Sequence, residues 1–386
     1  MTRAAEAALR PIPYGHQTID AEDVRGVART LRSDWMTQGP KIAKFEAAVA
    51  KECGAKYAVA CANGTAALHL ACLAAELGPG DEAITSPITF AATSNAALYC
   101  GAKPVFADVQ PDTINIDPAE IAERLTSKTR AILPVHFSGH PCDLQEIHEI
   151  AAKRRLVVIE DAAQALGAAY RGEPIGSCRW SDMTTLSFHP VKHITTGEGG
   201  MVLTNRKDLY DRLRLFRTHG ITRKPSMLRR NDGPWYYEMH ALGFNYRITD
   251  FQCALGLSQL KKLPRFVARR RAIAAEYDCA FSALPEVVTP PERPYCRNSY
   301  HIYCIRLRDA SSRRAVFERL QRRDIQANVH HIPVYAMPYY RANGYAKTRC
   351  PNAEDYYSRT ITLPIYPGMT AADVKRVIRS VRQAVR

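Results

Sequence analysis

The sequence predicts an α/β protein with two domains: a large one built on a mostly parallel sheet, and a smaller α/β domain at the C-terminal end. From residue 20 to about 205, segments with the period of an amphipathic helix alternate with short apolar segments typical of buried strands. After a polar stretch at 221–242, which we interpret as a long functional loop, the pattern changes. We therefore expect a large domain over 1–250 and a small one over 251–386.

The first elements of the large domain follow from caps and periodicity. Asp20 can cap a helix that runs to about residue 31, and a second helix near 40–52 stops at Gly54. The pattern continues as strand 57–62, a helix ending near 77, strand 82–86, helix 90–100, strand 103–109, helix 117–127, strand 130–136, helix 143–154, strand 156–160, strand 201–205 and helix 207–218. Such alternation implies crossover connections and a sheet that helices cover on both faces. Ligands of such sheets bind at the carboxyl ends of the strands.

The second domain shows fewer and more scattered elements. A helical region at about 249–284 is interrupted at Pro264. The elements that we predict beyond it are strands near 300–307 and 325–331 and helices near 311–323 and 370–385.

Composition and charge exclude several classes of protein. The 386 residues are 46% apolar and 24% charged, as in ordinary globular proteins, and the formal net charge is +15. This excess suits a polyanionic partner such as a diphosphate substrate. The basic residues are scattered and no zinc-finger spacing or RNP-like motif accompanies them, so we expect no nucleic acid partner.

Cysteine usage and hydropathy bear on location. The 11 cysteines include no C-x-x-C pair, and residues 1–10 contain no apolar stretch that could serve as a signal peptide. No apolar run approaches the length of about 20 residues needed to span a membrane. We therefore expect a cytoplasmic protein with no membrane partner.

The first informative strand end is Asn63-Gly64-Thr65. A glycine turn that opens a helix offers free backbone N–H groups and the positive end of the helix dipole, which suits a phosphate. Taken alone, this tripeptide is more typical of a plain strand-to-helix turn.

The second strand end carries two acids. Four apolar residues at 156–159 predict a buried strand, and Glu160 and Asp161 follow at its carboxyl end, before Gln164. A carboxylate there can hold a cationic ring nitrogen. The alternative is a helix cap or a surface pair.

The third strand end carries a lysine. Lys192 follows Ser187 and Pro190 and precedes the glycine-rich segment 197–200, a position poorly suited to a solvated helix face. A nucleophilic lysine needs a neutral amine, which an enclosed or cationic site provides by lowering its pKa. Ser187 can donate to a phosphate. The alternative for any single lysine is a surface charge, and His189 and His193 do not make a convincing metal site because Pro190 opposes a helix there, so we expect no metal.

Together, the acid and the lysine resemble the cofactor site of fold-type I pyridoxal-phosphate (PLP) enzymes. More narrowly, the chain resembles the DegT/StrS-type sugar aminotransferases from about residue 12 to the C-terminus. The segments that carry the resemblance are Thr37-Gln38-Gly39-Pro40, Asn63-Gly64-Thr65, Thr89-Phe90-Ala91-Ala92-Thr93, His136-Phe137-Ser138-Gly139-His140-Pro141, Glu160-Asp161-Ala162-Ala163-Gln164, Ser187 to Lys192, Gly197-Glu198-Gly199-Gly200 and Gly243-Phe244-Asn245-Tyr246-Arg247.

The resemblance implies pyridoxal 5′-phosphate as the cofactor and a role for each matching residue. Lys192 would bind the cofactor as a Schiff base and move protons, and Asp161 would pair with the ring nitrogen. The further contacts that it implies are Gln164 beside the ring hydroxyl, Phe90 stacked on the ring, Gly64, Thr65 and Ser187 around the phosphate, Asn245 of the other subunit at the same phosphate, and His330 and Tyr335 at the substrate. His331 stands where members of the family often have tyrosine.

The resemblance also implies an activity. A homodimer with shared active sites would move an amino group from glutamate to a UDP-linked 4-keto sugar. Within the family the segments 86–90, 187–196 and 256–262 are most similar to the enzymes of pseudaminic acid biosynthesis. Alternatives are a dTDP- or GDP-linked sugar substrate, a sugar dehydratase of the same fold, and a regulator without catalysis. The dehydratases resembled have histidine at the position of Lys192, and an intact Lys192 and Asp161 argue against both of the last two.

Overall fold

The computed structural model describes residues 10–386, so residues 1–9, considered above for a signal peptide, lie outside the described residues. Its centre is a seven-stranded sheet. In chain order, the strands are β1 (Tyr57–Cys61), β2 (Glu82–Thr85), β3 (Lys103–Phe106), β4 (Thr129–Leu133), β5 (Val157–Asp161), β6 (Met183–Ser187) and β7 (Gly200–Thr204). Their order across the sheet is β1-β7-β6-β5-β4-β2-β3, and β7 alone runs antiparallel to its neighbours β1 and β6. The predicted α/β fold with a mostly parallel sheet is confirmed.

Helices cover the large sheet, and the first of them begins at the predicted cap. The helices of the large part are Ala21–Leu31, Pro40–Cys53, Gly64–Ala74, Ala92–Tyr99, Pro118–Glu123, Leu144–Arg154, Lys207–Arg217 and Asp250–Leu260. Asp20 caps the first of them by accepting from the backbone N–H groups of Glu22 and Asp23. The second helix ends at Gly54, whose φ of 77° suits glycine.

The C-terminal part has its own small sheet. Its three strands are β8 (Val287–Val288), β9 (Tyr303–Leu307) and β10 (Thr360–Leu363), and β9 is central. The helices of this part are Arg313–Gln321, Pro351–Arg359 and Ala371–Ala384. The strand expected over 325–331 is shorter: Ile325–Gln326 pairs in parallel with Ile12–Pro13, and within 327–331 the pairing is limited to a single bridge between Asn328 and Thr362.

One long helix joins the two parts. Helix Leu263–Phe281 contributes Phe266 and Val267 to the apolar core of the large sheet, and Ile273 and Tyr277 to the separate core of the C-terminal part. Residues between 251 and 267 thus pack with the large part. A domain boundary at residue 250 stays a prediction.

The polar stretch at 221–242 is mostly irregular and exposed, as expected of a long loop. It holds a two-residue hairpin pairing, Ile221–Thr222 with Glu238–Met239. Among residues 10–386, no helix combines the length and the apolar character that crossing a membrane requires.

Candidate active site

The predicted strand ends meet around one cavity of about 580 Å³. It opens at the carboxyl ends of β5 and β6, where ligands of parallel sheets bind. The predicted site residues that line it are Gly64, Thr65, Phe90, Asp161, Gln164, Ser187, Lys192 and His330. Two predicted site residues, Asn245 and Tyr335, are not among those that line it.

A cradle for an anion lies where β1 leads into helix Gly64–Ala74. Asn63 caps this helix, and its Oδ1 accepts from the N–H of Ala66 at 2.8 Å. The N–H groups of Gly64 and Thr65 come earlier in the helix and have no partner within it. A side chain on Gly64 would place its Cβ 2.9 Å from Cβ of Ser187, so glycine keeps the cradle open beside this serine.

Ser187 completes the cradle from the end of β6. Its Oγ accepts from the N–H of His189 at 3.4 Å, which leaves the hydroxyl proton free to donate. On β7, a Cβ on Gly200 would lie 2.2 Å from the carbonyl oxygen of Asn63. Glycine at the end of the glycine-rich segment therefore allows β7 to pass close to the turn at Asn63.

Asp161 is held from two sides. Its Oδ2 accepts the hydroxyl of Thr93 at 2.6 Å, and its Oδ1 accepts the N–H of Ala163 at 3.1 Å. The hydroxyl of Thr93 lies 2.7 Å from that of Thr89. The side chain of Asp161 is therefore fixed in orientation at the edge of the cavity, where a cationic ring nitrogen can pair with it.

Glu160 points to the opposite face of the sheet, because successive side chains of a strand alternate. Its carboxylate accepts from Nε2 of His136 at 2.7 Å and from the hydroxyls of Ser181 and Thr184. Nδ1 of His136 accepts from the N–H of Cys142, so the ring proton resides on Nε2. Of the two acids, Asp161 alone lines the cavity.

Lys192 lies in the loop between β6 and β7. Its N–H donates to the carbonyl of His189 at 2.9 Å, which turns the chain sharply after Pro190. Burial lowers the pKa of the Lys192 amine to about 8, while the negative charge of Asp161 opposes this shift. The amine is therefore neutral in a substantial fraction of molecules near neutral to mildly alkaline pH, as a nucleophilic lysine requires.

Two further predicted residues lie on the cavity wall. Oε1 of Gln164 accepts from the N–H of Ser138 at 2.7 Å. This leaves the amide nitrogen of Gln164 available to donate to another partner. Phe90 is 66% exposed at the start of helix Ala92–Tyr99. An aromatic ring so exposed beside a cavity is available to cover a bound ring.

The last three predicted residues are His330, which lines the cavity, and Tyr335 and Asn245, which do not. Nδ1 of His330 lies 2.9 Å from the hydroxyl of Thr362, and the His330 ring lies 5.1 Å from that of Tyr14. Tyr335 is 3% exposed and its hydroxyl donates to Glu354 at 2.8 Å, so the structure uses this group away from the cavity. Asn245 is exposed and bridges to Thr218, outside the cavity of its own chain.

Several residues that line the cavity were not assigned from the sequence, among them Tyr14, His301 and His331. Thr93, the partner of Asp161, belongs to a quoted motif but had no assigned role. Nothing in the local sequence around His301 distinguishes it from a buried strand residue. Among residues 10–386, no group of three or more His, Cys, Asp and Glu side chains is placed to hold a metal ion.

Most of the chain matches one known protein family. The DegT/DnrJ/EryC1/StrS aminotransferase family matches residues 17–382. The chain therefore belongs to this family of aminotransferases.

Individual proteins are similar to the chain over nearly its whole length. The spore coat polysaccharide biosynthesis protein SpsC of Bacillus subtilis is 40% identical over 380 residues, 97% of each chain. The GDP-perosamine synthase of Caulobacter vibrioides is 38% identical over 371 residues, 95% of this chain and 96% of that one.

Solved structures agree in fold. PseC of Helicobacter pylori, an aminotransferase involved in the biosynthesis of pseudoaminic acid, superimposes with a TM-score of 0.90 at 30% identity, covering 97% of this chain and 99% of PseC. The PMP form of Spr1654 from Streptococcus pneumoniae gives a TM-score of 0.91 at 29% identity, with coverage of 97% and 99%.

Pyridoxal phosphate is the cofactor of this family and of this chain. The residues present fit it. The cradle of Gly64, Thr65 and Ser187 suits its phosphate, Asp161 suits its ring nitrogen, and Lys192 offers the amine for covalent attachment.

Proposed function

We propose that the protein transfers the amino group of glutamate to C4 of a UDP-linked 4-keto-6-deoxy sugar. The substrate that we favour is UDP-2-acetamido-2,6-dideoxy-β-L-arabino-hexos-4-ulose, in pseudaminic acid biosynthesis. The observation that carries the catalytic part is the meeting of Lys192, Asp161 and the anion cradle around one cavity. The similarity to PseC over 97% of the chain supports the choice of sugar.

Lys192 is the residue that moves protons. Its amine, with a pKa lowered to about 8, can take the proton from the carbon that carries the amino group of glutamate, and return one to C4 of the sugar. When bound, pyridoxal phosphate supplies an electron-withdrawing ring that takes up the electron pair left by the broken C–H bond.

Asp161 and the cradle position the reaction. Asp161, oriented by Thr93, would keep a proton on the ring nitrogen of the bound cofactor, and this positive charge would strengthen the ring as an electron acceptor. Gly64, Thr65 and Ser187 would hold the phosphate of the bound cofactor by hydrogen bonds and so position it relative to Lys192.

We further propose a homodimer in which Asn245 reaches the phosphate bound by the partner subunit. Asn245 is exposed and follows, three positions later in the chain, Leu242, which is 80% exposed. Phe90, Trp35 and Trp235 are also large exposed apolar side chains. Apolar groups of this size at a surface support an interface. All 11 cysteines are free thiols, which supports a location in the reducing cytoplasm.

A second candidate substrate is a GDP-linked 4-keto sugar. The observation that favours it is the 38% identity to GDP-perosamine synthase, against 30% to PseC. A regulator without catalysis is disfavoured because Lys192 and Asp161 both line the cavity.

The test is incubation of the purified protein with glutamate, PLP and a panel of UDP-, dTDP- and GDP-linked 4-keto sugars, with mass detection of the products. We expect an aminated UDP-sugar and an equal amount of 2-oxoglutarate, and at least about a hundredfold less product from the Lys192→Ala variant. Preferred amination of a GDP-linked sugar would show that this sugar, and not the UDP-linked one, is the substrate. Absence of any aminated sugar, with PLP bound, would overturn the proposed function.

A further inference from the structure

Three buried side chains form a line of hydrogen bonds at the edge of the cavity. The hydroxyl oxygen of Thr89 lies 2.7 Å from that of Thr93, and the hydroxyl of Thr93 lies 2.6 Å from Oδ2 of Asp161. Thr89 precedes helix Ala92–Tyr99, and Thr93 lies in the first turn of that helix. Asp161 ends β5, so the line joins two elements that are distant in sequence.

The neighbours of the Thr93 hydroxyl determine which of them receives its proton. A hydroxyl has one proton and two lone pairs. Besides Thr89, two acceptors lie near it: Oδ2 of Asp161 at 2.6 Å and the carbonyl oxygen of Phe90 at 3.3 Å. The carboxylate is closer and charged, and charged acceptors form the shorter and stronger hydrogen bonds. Thr93 therefore donates to Asp161.

The direction of the bond between the two threonines follows from this. The distance of 2.7 Å alone permits either hydroxyl to be the donor. Because the proton of Thr93 is given to the carboxylate, only the hydroxyl of Thr89 can supply a proton to this second bond. Thr89 thus donates to Thr93, and both donations run toward the negative charge of Asp161.

The bond from Thr89 strengthens the bond that Thr93 makes. Hydrogen bonds in a chain polarise one another, and each gains about 10–30% in strength. The three side chains are buried, so water does not screen this effect. Accepting from Thr89 also holds the O–H bond of Thr93 toward Asp161 rather than toward the competing carbonyl of Phe90.

We propose that Thr89 is a positioning residue of the transamination: through Thr93, it keeps the carboxylate of Asp161 oriented toward the ring nitrogen of the bound cofactor. In this role Thr89 needs no contact with the reacting atoms. The inference rests on the proposed pairing of Asp161 with that nitrogen, but not on the identity of the sugar. The half-reaction with glutamate is therefore sufficient to test it.

The test is a double-mutant cycle on the two threonines. Thr89→Val, Thr93→Val and the double variant remove the hydroxyls and keep the shape of the side chains. The readouts are the rate of the glutamate half-reaction and the pH at which the absorbance of the bound cofactor changes. We expect Thr89→Val to slow the half-reaction about twofold to fivefold, less than Thr93→Val does. Both variants should shift the pH midpoint in the same direction, Thr89→Val by less.

The double variant provides the decisive comparison. If Thr89 acts through Thr93, its hydroxyl has no effect once Thr93 has lost its own, so the double variant should equal Thr93→Val in both readouts. Two losses that multiply would show instead that Thr89 acts independently, and the inference would be wrong. Thr89→Ser restores the hydroxyl and should return both readouts to those of the unmodified protein. A serine variant that behaves like Thr89→Val would count equally against the inference.

Thr85→Val is the matched control. Thr85 is also buried, and its hydroxyl donates to the carbonyl of Leu133 at 2.8 Å. Its loss should lower the free energy of unfolding and leave both readouts of the folded protein unchanged. Equal shifts in Thr85→Val and Thr89→Val would show that the loss of any buried hydroxyl has this effect, which contradicts a specific role of Thr89. If Thr89→Val does not fold, Thr89→Ala takes its place in the same cycle.

Asp161→Asn separates the failure of this inference from a failure of the proposed function. If Asp161→Asn shifts the pH midpoint and slows the half-reaction but Thr89→Val does neither, only the role of Thr89 is wrong. If Asp161→Asn does neither, the pairing of Asp161 with the ring nitrogen is wrong, and the role of Thr89 is overturned with it.

Discussion

Thr93 donates its hydroxyl to Oδ2 of Asp161 over 2.6 Å, and this bond joins the start of helix Ala92–Tyr99 to the end of β5. With the N–H of Ala163 on Oδ1, both carboxylate oxygens have a partner. The carboxylate is thus oriented before the cofactor binds, which lowers the cost of aligning it with the ring nitrogen.

Thr93→Val removes this hydroxyl and keeps the shape of the side chain. A hydrogen bond to a charged group is worth about 1.5–3 kcal/mol, so we expect kcat to fall roughly tenfold to a hundredfold. Steady-state kinetics of the aminotransferase reaction measures the change. Thr204→Val is the control, because that hydroxyl is also buried but donates to the carbonyl of Asp182. If both variants lose activity equally, Thr93 does not act through Asp161.

Asp161→Asn should bind the cofactor and lose most of the rate, because a neutral amide does not hold the proton on the ring nitrogen. Glu160→Gln should behave in the opposite way. It weakens the buried bonds to His136 and Ser181, so we expect the free energy of unfolding to fall by about 1.5–3 kcal/mol with most of the turnover per folded molecule retained. Denaturant unfolding and kinetics on the same preparations separate the two effects. An active Asp161→Asn protein together with an inactive Glu160→Gln protein would show that Glu160, and not Asp161, pairs with the ring nitrogen.

Lys192→Ala should fold and lose transamination by at least about a hundredfold, since it removes the proton-moving amine. Lys153→Ala, at an exposed position of helix Leu144–Arg154, is the control and should be unaffected. Circular dichroism checks the fold, and product analysis with glutamate and the accepted sugar measures activity. Turnover near that of the unmodified protein would show that the lysine is misassigned.

The lowered pKa of Lys192 predicts how the cofactor-free protein takes up pyridoxal phosphate. Attachment needs the neutral amine, whose fraction rises as the pH passes upward through about 8. The rate of attachment, followed by the absorbance of the bound cofactor, should therefore rise with pH and level off above about pH 9. A rate that keeps rising toward the ordinary lysine value of about 10.4 would contradict the burial of this amine.

A shared active site can be tested by subunit exchange. Lys192→Ala and Asn245→Trp should each be inactive as pure proteins. If Asn245 serves the partner's cofactor, one site of a mixed dimer collects both defects and the other collects neither, so activity should return on mixing. A mixture that stays inactive, with exchange confirmed by mass spectrometry of differently tagged subunits, would show that both residues serve the same chain's site.

The sequence predicted the large sheet well because its signals are local. The cap at Asp20, the turn Asn63-Gly64-Thr65 and short apolar strands such as Val157–Asp161 are visible within a few residues. The three strand ends converge because parallel strands share an edge, which made Gly64, Asp161 and Lys192 predictable as one site.

The C-terminal part was predicted less completely because its contacts are distant in sequence. Helix Pro351–Arg359 buries only Ala353 and Tyr356, which gives too weak a period to recognise, and β10 has four residues. Tyr335 was expected at the substrate, yet its hydroxyl bonds Glu354 and the N–H of Cys350. His301 and His331 reach the cavity through tertiary packing that no local pattern shows.

The antiparallel strand β7 has a consequence for movement. Ser187 and Gly200 are directly paired across β6 and β7, and Phe188 and Gly199 are joined by a backbone bond of 2.8 Å, so the loop that carries Lys192 is tied at both ends to the same sheet that ends in Asp161. The lysine and the acid therefore travel as one rigid unit. Any displacement of the C-terminal part relative to the large sheet would therefore leave the spacing between Lys192 and Asp161 unchanged.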